Sequence, residues 1–466
     1  MQFYNTLVKD KQDFAALSGR TVKMYNCGPT VYNFATIGNF RAFMLADLLR
    51  RYLEYKGYEV TQVMNLTDVG HMTTDADEGE DKLEKAAREA KKDPYQVAEF
   101  YAQAFFADID SLRIRRANHY PRATQHIPEM IDLIRRLIDR GHAYAGGDSI
   151  YYDISSFPGY GQLSGNTLEK LQAGARIEVN PEKKNPFDFA LWKSDPHHIM
   201  QWDSPWGRGF PGWHIECSAM SMKYLGSTLD IHTGGEDNIF PHHECEIAQS
   251  EGATGEKFVR YWLHTRFLLV DGRKMSKSLG NFYTLRDLQE KGYSDLAMRY
   301  LLLSTNYRQP LNFTLEAVEA SHEAVRRLRD FVIDLDLAQG EGSSPEVADV
   351  IGTAIAAFAD GLDDDLNISK SLAGVFDFIR EANKLELTRQ DAQAVRAVMM
   401  DFNKVLGVID IEQQSLEGEV ERLIQQRQQA RKAKDFRTAD EIRGSLLKRG
   451  IILEDTPQGV RWKRAT

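Results

Sequence analysis

Apolar and polar positions alternate differently along this chain, and the changes in period divide it into regions. Residues Thr21–Gly28 (TVKMYNCG) read as a buried strand ending at a Gly-Pro break. Asn39–Lys56 then shows helical spacing, with Ala42, Leu45, Leu49 and Leu53 on one face. Tyr58–Leu66 (YEVTQVMNL) reads as the next strand. Strand, loop, helix and strand over roughly 45 residues make a βαβ unit, which predicts a parallel nucleotide-binding sheet. The acidic stretch Thr73–Asp81 reads as an exposed loop. From Tyr120 to Asp203 the pattern turns to a helix, short strands and Gly/Pro-rich turns, predicting an insertion into the sheet domain. Strand-like signals resume near His214 and at Thr228–His232. Beyond Thr314 the chain reads as helical, with Val325, Leu328, Val332 and Leu335 in 3-4-3 spacing. Gln339–Pro345 is a linker between helices, and the end reads as a hairpin turning at Pro457–Gly459.

The chain has 466 residues, about three domains' worth. Its 42% hydrophobic content is ordinary for a globular protein. No apolar run approaches the ~20 residues of a membrane span, and the start (MQFYNTLVKDKQDF) has no apolar signal core. Three cysteines exclude a disulfide framework and suit a reducing, cytoplasmic setting. They raise instead the question of a metal. The net charge of −10 argues against nucleic-acid binding over the whole surface. Glu421–Thr466, however, carries twelve Lys/Arg against six Asp/Glu, a basic tail suited to a polyanion at one end.

Three features could carry chemistry. In His242-His-Glu-Cys-Glu246, a helix would set His242 and Glu246 four apart on one face, as imidazole and carboxylate ligands of a zinc ion. Cys27 and Cys217 could supply the other two ligands from strand ends, and Cys245 is a rival that spacing does not exclude. Buried cysteines are more often simply small hydrophobes. The second feature is Lys274-Met-Ser-Lys277-Ser, followed by Leu-Gly-Asn: a cationic loop suited to polyphosphate. The third is Thr36-Ile-Gly38-Asn39 at the start of the first helix, where backbone at a helix N-terminus can approach a phosphate or an adenine ring.

These motifs, with others, resemble the cysteinyl-tRNA synthetase family of class I aminoacyl-tRNA synthetases over nearly the whole chain. The resemblance is carried by MYNCGPTVYN, GWHIECSAM, DIHTGGEDNIFPHHECEIAQS and KMSKSLGNF, together with LQAGAR, PFDFALWK, DDDLN and KDFRTADEIR. It implies an α/β fold: a Rossmann-like parallel-sheet catalytic domain (1–119 and 204–252) with a connective insertion (120–203) too short for a separate editing domain. A KMSKS-bearing linker domain (253–313), a helical bundle (314–412) and a small C-terminal anticodon-binding domain (413–466) would follow. It implies zinc on Cys27, Cys217, His242 and Glu246, binding the thiolate of substrate cysteine. Lys274 and Lys277 would stabilise departing pyrophosphate, with Mg2+ on the ATP. Thr36 and Asn39 hold the ends of the HIGH-type motif. Gly38, Asn39, Gly234, Gly235, Asp237 and Lys277 match positions around ATP, and Thr30, Trp213 and His232 those around the amino acid; for the last two, core packing is the plainer alternative. The implied partners are L-cysteine, ATP and tRNA(Cys), the implied assembly a monomer in the cytoplasm.

The sequence departs from the family's pattern in two places. Thr36 stands where the motif begins with histidine, so a charge-assisted contact worth ~2–4 kcal/mol in a transition state is missing. After Thr67-Asp68 the chain reads Val-Gly-His71-Met and an acidic insertion, where two aspartates and a lysine are common. Two other functions are compatible with parts of the pattern: a ligase joining cysteine to a small-molecule amine, and a catalytically impaired tRNA-binding paralogue. The long C-terminal region weighs against the first. The intact KMSKS and four metal-type residues weigh against the second.

Overall fold

The computed structural model describes residues 1–70, 81–167, 169–170, 180–276, 279–411, 422–431, 435–449, 451–456 and 459–464. Its centre is a four-stranded parallel sheet. The strands are β1 (Thr21–Asn26), β2 (Glu59–Met64), β3 (Leu229–Gly235) and β4 (Val259–Thr265), in the spatial order β4-β3-β1-β2. Helix α1 (Ile37–Tyr55) makes the crossover from β1 to β2. Parallel strands are covered on both faces, which is why β3 is buried almost from end to end despite carrying Asp230 and His232. The register sets Tyr25 beside His232 and His232 beside Trp262.

Helix α1 is buried nearly all round, because the sheet lies on one side and later helices on the other. Asp47 on α1 is fully buried with Arg51 (2.8 Å) and with Arg299 of the helix Asp295–Ser304 (2.7 Å). Burial alone would raise the Asp47 carboxyl, but the two guanidiniums hold it below the ordinary range. A buried charge paired in this way fixes how the helical region seats on the sheet.

The insertion contains the helix Ile127–Asp139 and a four-stranded antiparallel sheet from Ala143–Gly146, Ser149–Tyr152, Phe189–Lys193 and Phe210–Pro211. After β4, a small sheet joins Leu268–Val270 to Arg273–Lys274 and Leu311–Phe313. The helices Leu315–Asp334, Pro345–Asp363, Ile368–Ala382 and Arg389–Leu406 follow, with Val325, Leu328, Val332 and Leu335 buried as their spacing predicts. Phe436–Lys448 leads into the antiparallel hairpin Ile451–Thr456 and Gly459–Arg464. Among the described residues no helix is long and apolar enough to cross a membrane.

Three expectations change. Near His214 the chain is not a strand but helix α2 (Trp213–Leu225), so Cys217 sits on a helix and not at a strand end. The parallel sheet continues past 252 to include β4, within the segment assigned to 253–313. The acidic stretch lies mostly outside the described residues, as does His71; its last residue, Asp81, is buried, not exposed, and caps the helix Lys82–Ala90.

Candidate active site

Strand β1 pairs with β2 through α1 on one side and with β3 on the other, so the sheet's topological switch point lies beyond the carboxyl ends of β1 and β3. Ligands of open α/β sheets bind in that crevice. Here it is a cavity of about 500 Å³. Cys27, Thr30, Thr36, Gly38, Asn39, Trp213, Gly235, Asp237 and Lys274 all line it. The sequence-predicted residues therefore converge from β1, α1, α2, β3 and the Arg273–Lys274 strand. Lys277 lies outside the described residues.

The turn after β1 is tight enough to exclude any side chain at Gly28, where a Cβ would lie 1.8 Å from the Asn65 carbonyl oxygen. Val31 N–H donates to Thr67 O (3.0 Å), holding Thr30 beside the second strand's exit. Thr36 is the N-cap of α1. The Asn39 N–H donates to Thr36 Oγ1 (3.2 Å), while the Thr36 N–H and hydroxyl both donate to Asn39 Oδ1 (2.9 Å each). The two ends of the tetrapeptide thus close a capping box on each other. Gly38 faces the Met275 methyl, 3.1 Å from where a Cβ would stand.

Behind Cys27 lies a buried cluster. The ligand-type atoms of Cys27, Cys217, His242 and Glu246 all lie within 4.8 Å of one another. An ion with bonds of ~2.0–2.3 Å spaces tetrahedral donors ~3.3–3.8 Å apart, so a small inward movement would close this set on a metal. Helix α3 (Glu244–Thr254) begins just after His242 and carries Glu246, whose Oε1 lies 3.1 Å from His242 Nε2. Cys245 points elsewhere, toward the Tyr160 hydroxyl at 3.6 Å, which removes it as a rival. A second set, Cys27, His232, His243 and Glu246, overlaps the first.

Both sets are held from outside. The Nδ1 atoms of His214 and His242 lie 2.8 Å apart, and His232 Nε2 lies 2.9 Å from Glu246 Oε2. His243 Nε2 lies 3.1 Å from Cys27 Sγ, and its Nδ1 is 2.7 Å from His264 Nε2, whose ring in turn meets Thr6 Oγ1 at 2.8 Å. A hydrogen bond between the cysteines pushes the Cys27 thiol well up and Cys217 down. Burial alone would lower His242, but hydrogen bonds to Cys217 and Glu246 raise it to about 10. Burial would raise Glu246, yet His232 and His242 bring it down to about 2. Burial and the surrounding imidazoles push His243 well below the ordinary range. The chemistry is that of an ionised carboxylate beside two thiols, of which Cys217 is the easier to deprotonate.

Of the described residues matched to ATP or the amino acid, two do not line the cavity. His232 is fully buried, stacked on Trp262 with ring centroids 4.6 Å apart, and acts on Glu246. Gly234 packs against His243, which would lie 2.7 Å from an added Cβ. His214, His243, His264 and Thr6 were not read from the sequence. The adjacency of His243 to His242 was a visible signal; the contacts of His264 and Thr6 depend on pairing across distant segments.

Residues 13–323 match the family described as the tRNA synthetases class I (C) catalytic domain, residues 357–410 the DALR domain and residues 413–462 the cysteinyl-tRNA ligase anticodon binding domain. A cysteine–tRNA ligase of Chlorobaculum tepidum is 44% identical over 487 residues, covering 100% of this chain and 99% of its own. One of Protochlamydia amoebophila is 46% identical over 477 residues, covering 100% and 98%. In fold, the chain resembles a Mycobacterium tuberculosis methionyl-tRNA synthetase in complex with methionyl-adenylate, with a TM-score of 0.58 at 15% identity, over 84% of this chain and 90% of that one. With a catalytic-domain match over more than half its length and relatives at this identity from end to end, the chain belongs to the cysteine–tRNA ligase family of class I aminoacyl-tRNA synthetases.

Proposed function

We infer that this protein activates cysteine with ATP and transfers it to tRNA(Cys). The observation that carries the reading is a buried set of two thiols, an imidazole and a carboxylate at the end of a pocket bordered by the Thr36–Asn39 motif and Lys274. The match over 413–462 supports tRNA as the acceptor and weighs against a small-molecule amine.

The donor set fits zinc, with Cys27, Cys217, His242 and Glu246 as its holders. Bound there, zinc would supply a soft Lewis acid that favours a thiolate sulfur over the harder hydroxyl of serine, which is selectivity without an editing site. His214 and His232 keep the imidazole of His242 and the carboxylate of Glu246 in place. Cys27 is the one member of the four that lines the cavity, so a substrate sulfur approaches on its side. Thr30 and Trp213 wall the amino acid.

The first step is attack by the substrate carboxylate on the α-phosphorus of ATP, forming the acyl–phosphate bond as the bond to pyrophosphate breaks. Gly38 and Asn39 bring the N-terminus of α1 to the nucleotide, where the helix dipole favours negative charge. Gly235 and Asp237 face the same space from β3. Lys274 would neutralise pyrophosphate as it leaves, together with Lys277 and the Mg2+ that accompanies ATP. A terminal ribose hydroxyl of tRNA then attacks the carbonyl, releasing AMP. Thr36 adds no cation, and its hydroxyl already serves the helix cap, so positioning and the lysines carry the first step.

Charging of total tRNA with labelled cysteine in zinc-replete buffer, with cysteine-dependent ATP–pyrophosphate exchange alongside, tests the reading. Acid-precipitable cysteine that serine does not replace is expected. Exchange without charging would point to another acceptor, and neither activity to a silent paralogue.

A further inference from the structure

Three aromatic rings run from the cavity wall to the surface. Phe34 lines the cavity. Tyr101 meets it edge-on, with centroids 5.1 Å apart and planes at 85°. Phe100 meets Phe34 at 6.0 Å and Tyr101 at 5.1 Å, and is 51% exposed. Both Phe100 and Tyr101 lie on the helix Pro94–Ser111, whose buried face is made by Val97, Ala98, Ala102, Phe105 and Ile109, so Phe100 is not needed to seat that helix. A cation stands at each end of the row. Lys92 Nζ lies 5.4 Å above the Phe100 ring, and the Arg286 guanidinium, itself paired with Asp108 at 3.0 Å, lies 4.9 Å from the Phe34 ring.

A single exposed aromatic residue needs no explanation. A connected row leading out of a ligand cavity, with Lys92 at its exposed end on a chain of net charge −10, is what an unpaired nucleic-acid end requires: faces for bases and a cation for phosphate. We propose that Phe34, Tyr101 and Phe100 form a track that takes the unpaired 3′-terminal bases of the RNA substrate on their way into the cavity. The track rests on the reading that tRNA is the acceptor. Phe100 is its outer stacking face, and Lys92 holds the phosphate beside it.

Stacking on one such ring is worth ~5- to 100-fold in affinity. Phe100→Ala should therefore raise the KM for tRNA in charging by about that factor, while cysteine-dependent ATP–pyrophosphate exchange, which needs no RNA, stays at the wild-type rate and certifies the fold. Phe100→Trp should restore the KM and Phe100→Leu should not, since a role in apolar packing alone would be met by leucine. Competition by tRNA stripped of its single-stranded 3′ end should be the same for wild type and Phe100→Ala. An unchanged KM in Phe100→Ala, full rescue by leucine, or equally weakened competition by the stripped tRNA would each overturn the track. Absence of exchange in the wild type would instead overturn the underlying enzymatic reading.

Discussion

Among the described residues, two buried clusters hold metal-type side chains, and they are built to opposite ends. One is Cys27, Cys217, His242 and Glu246 behind the cavity; the other is Asp81, Glu84 and His198, where the insertion meets the helix Lys82–Ala90. In the second, the His198 Nδ1–H donates to Met200 O (2.8 Å) and its Nε2 lies 2.9 Å from Asp81 Oδ2. Asp81 Oδ1 accepts the Glu84 N–H (2.8 Å), Glu84 accepts the Ile199 N–H, and the imidazole stacks on Phe210 with centroids 3.8 Å apart. These donors are turned on one another. The first cluster contains thiols and has one member facing a cavity; the second has neither. A histidine among carboxylates is thus a clasp when its neighbours consume it and a site when a face is left open. The clasp still serves the cavity indirectly, because Lys82, next to Asp81, lines it.

Removing a ligand from each cluster is the sharpest way to break that contrast. Cys27→Ala should abolish stoichiometric zinc retention after dialysis and lower cysteine-dependent exchange by on the order of 10³, the equivalent of about 4 kcal/mol. His198→Ala should leave the zinc content of the protein unchanged. Loss of zinc from the His198 variant, or its retention in the Cys27 variant, would reverse the two assignments.

Thr36 applies the same distinction to a single hydroxyl, which the cap consumes. Thr36→His should restore a charged donor at the motif's first position and speed exchange, by up to ~10²-fold. It should also lower stability by about 1 kcal/mol through loss of the cap. Thr36→Ser, which keeps the cap without adding charge, should change neither. Exchange no faster in the histidine variant would mean that the motif's first position carries no load in this chain.

What could be read from the sequence follows from how each signal is encoded. The βαβ unit, the helix bearing Val325 to Leu335 and the terminal hairpin were legible because period and turn residues are local. Helix α2 was not, because it is buried on most sides and its interior holds His214, Glu216 and Ser218. Those polar groups are met by distant partners: Glu216 by the Thr67 hydroxyl at 2.9 Å and Ser218 by Gln249 at 2.7 Å. No amphipathic stripe survives such packing, so GWHIECSAM announces chemistry but not its element. Spacing allows the four metal-type residues as one candidate set, with Cys245 as a rival, and the Lys274 motif as a polyphosphate loop; the family resemblance is what singles them out. The same resemblance places His232 around the amino acid; its Nε2 meets Glu246 behind the cavity. The Asp81–His198 clasp joins residues more than a hundred positions apart, beyond any spacing rule.

The clasp gives a smaller but more discriminating test. His198→Gln removes the charge that the imidazole carries below its ordinary pKa while keeping one hydrogen-bonding group, so it should cost about 2 kcal/mol of stability at about pH 6. Its pH dependence follows from the His198 titration. Burial alone would lower the imidazole's pKa, but the hydrogen bond and charge of Asp81, with Glu84 nearby, hold it above the ordinary value. A group raised on folding stabilises fully below its unfolded pKa, near ~6.5, and progressively loses that contribution as pH climbs through the folded value. The gap in Tm between wild type and His198→Gln should therefore be widest at about pH 6, narrow as pH rises through the raised pKa, and be smallest above it. A gap constant across that range would mean that the imidazole holds the insertion by shape and neutral hydrogen bonding alone. The second cluster would then be a packing contact, not an ionic clasp.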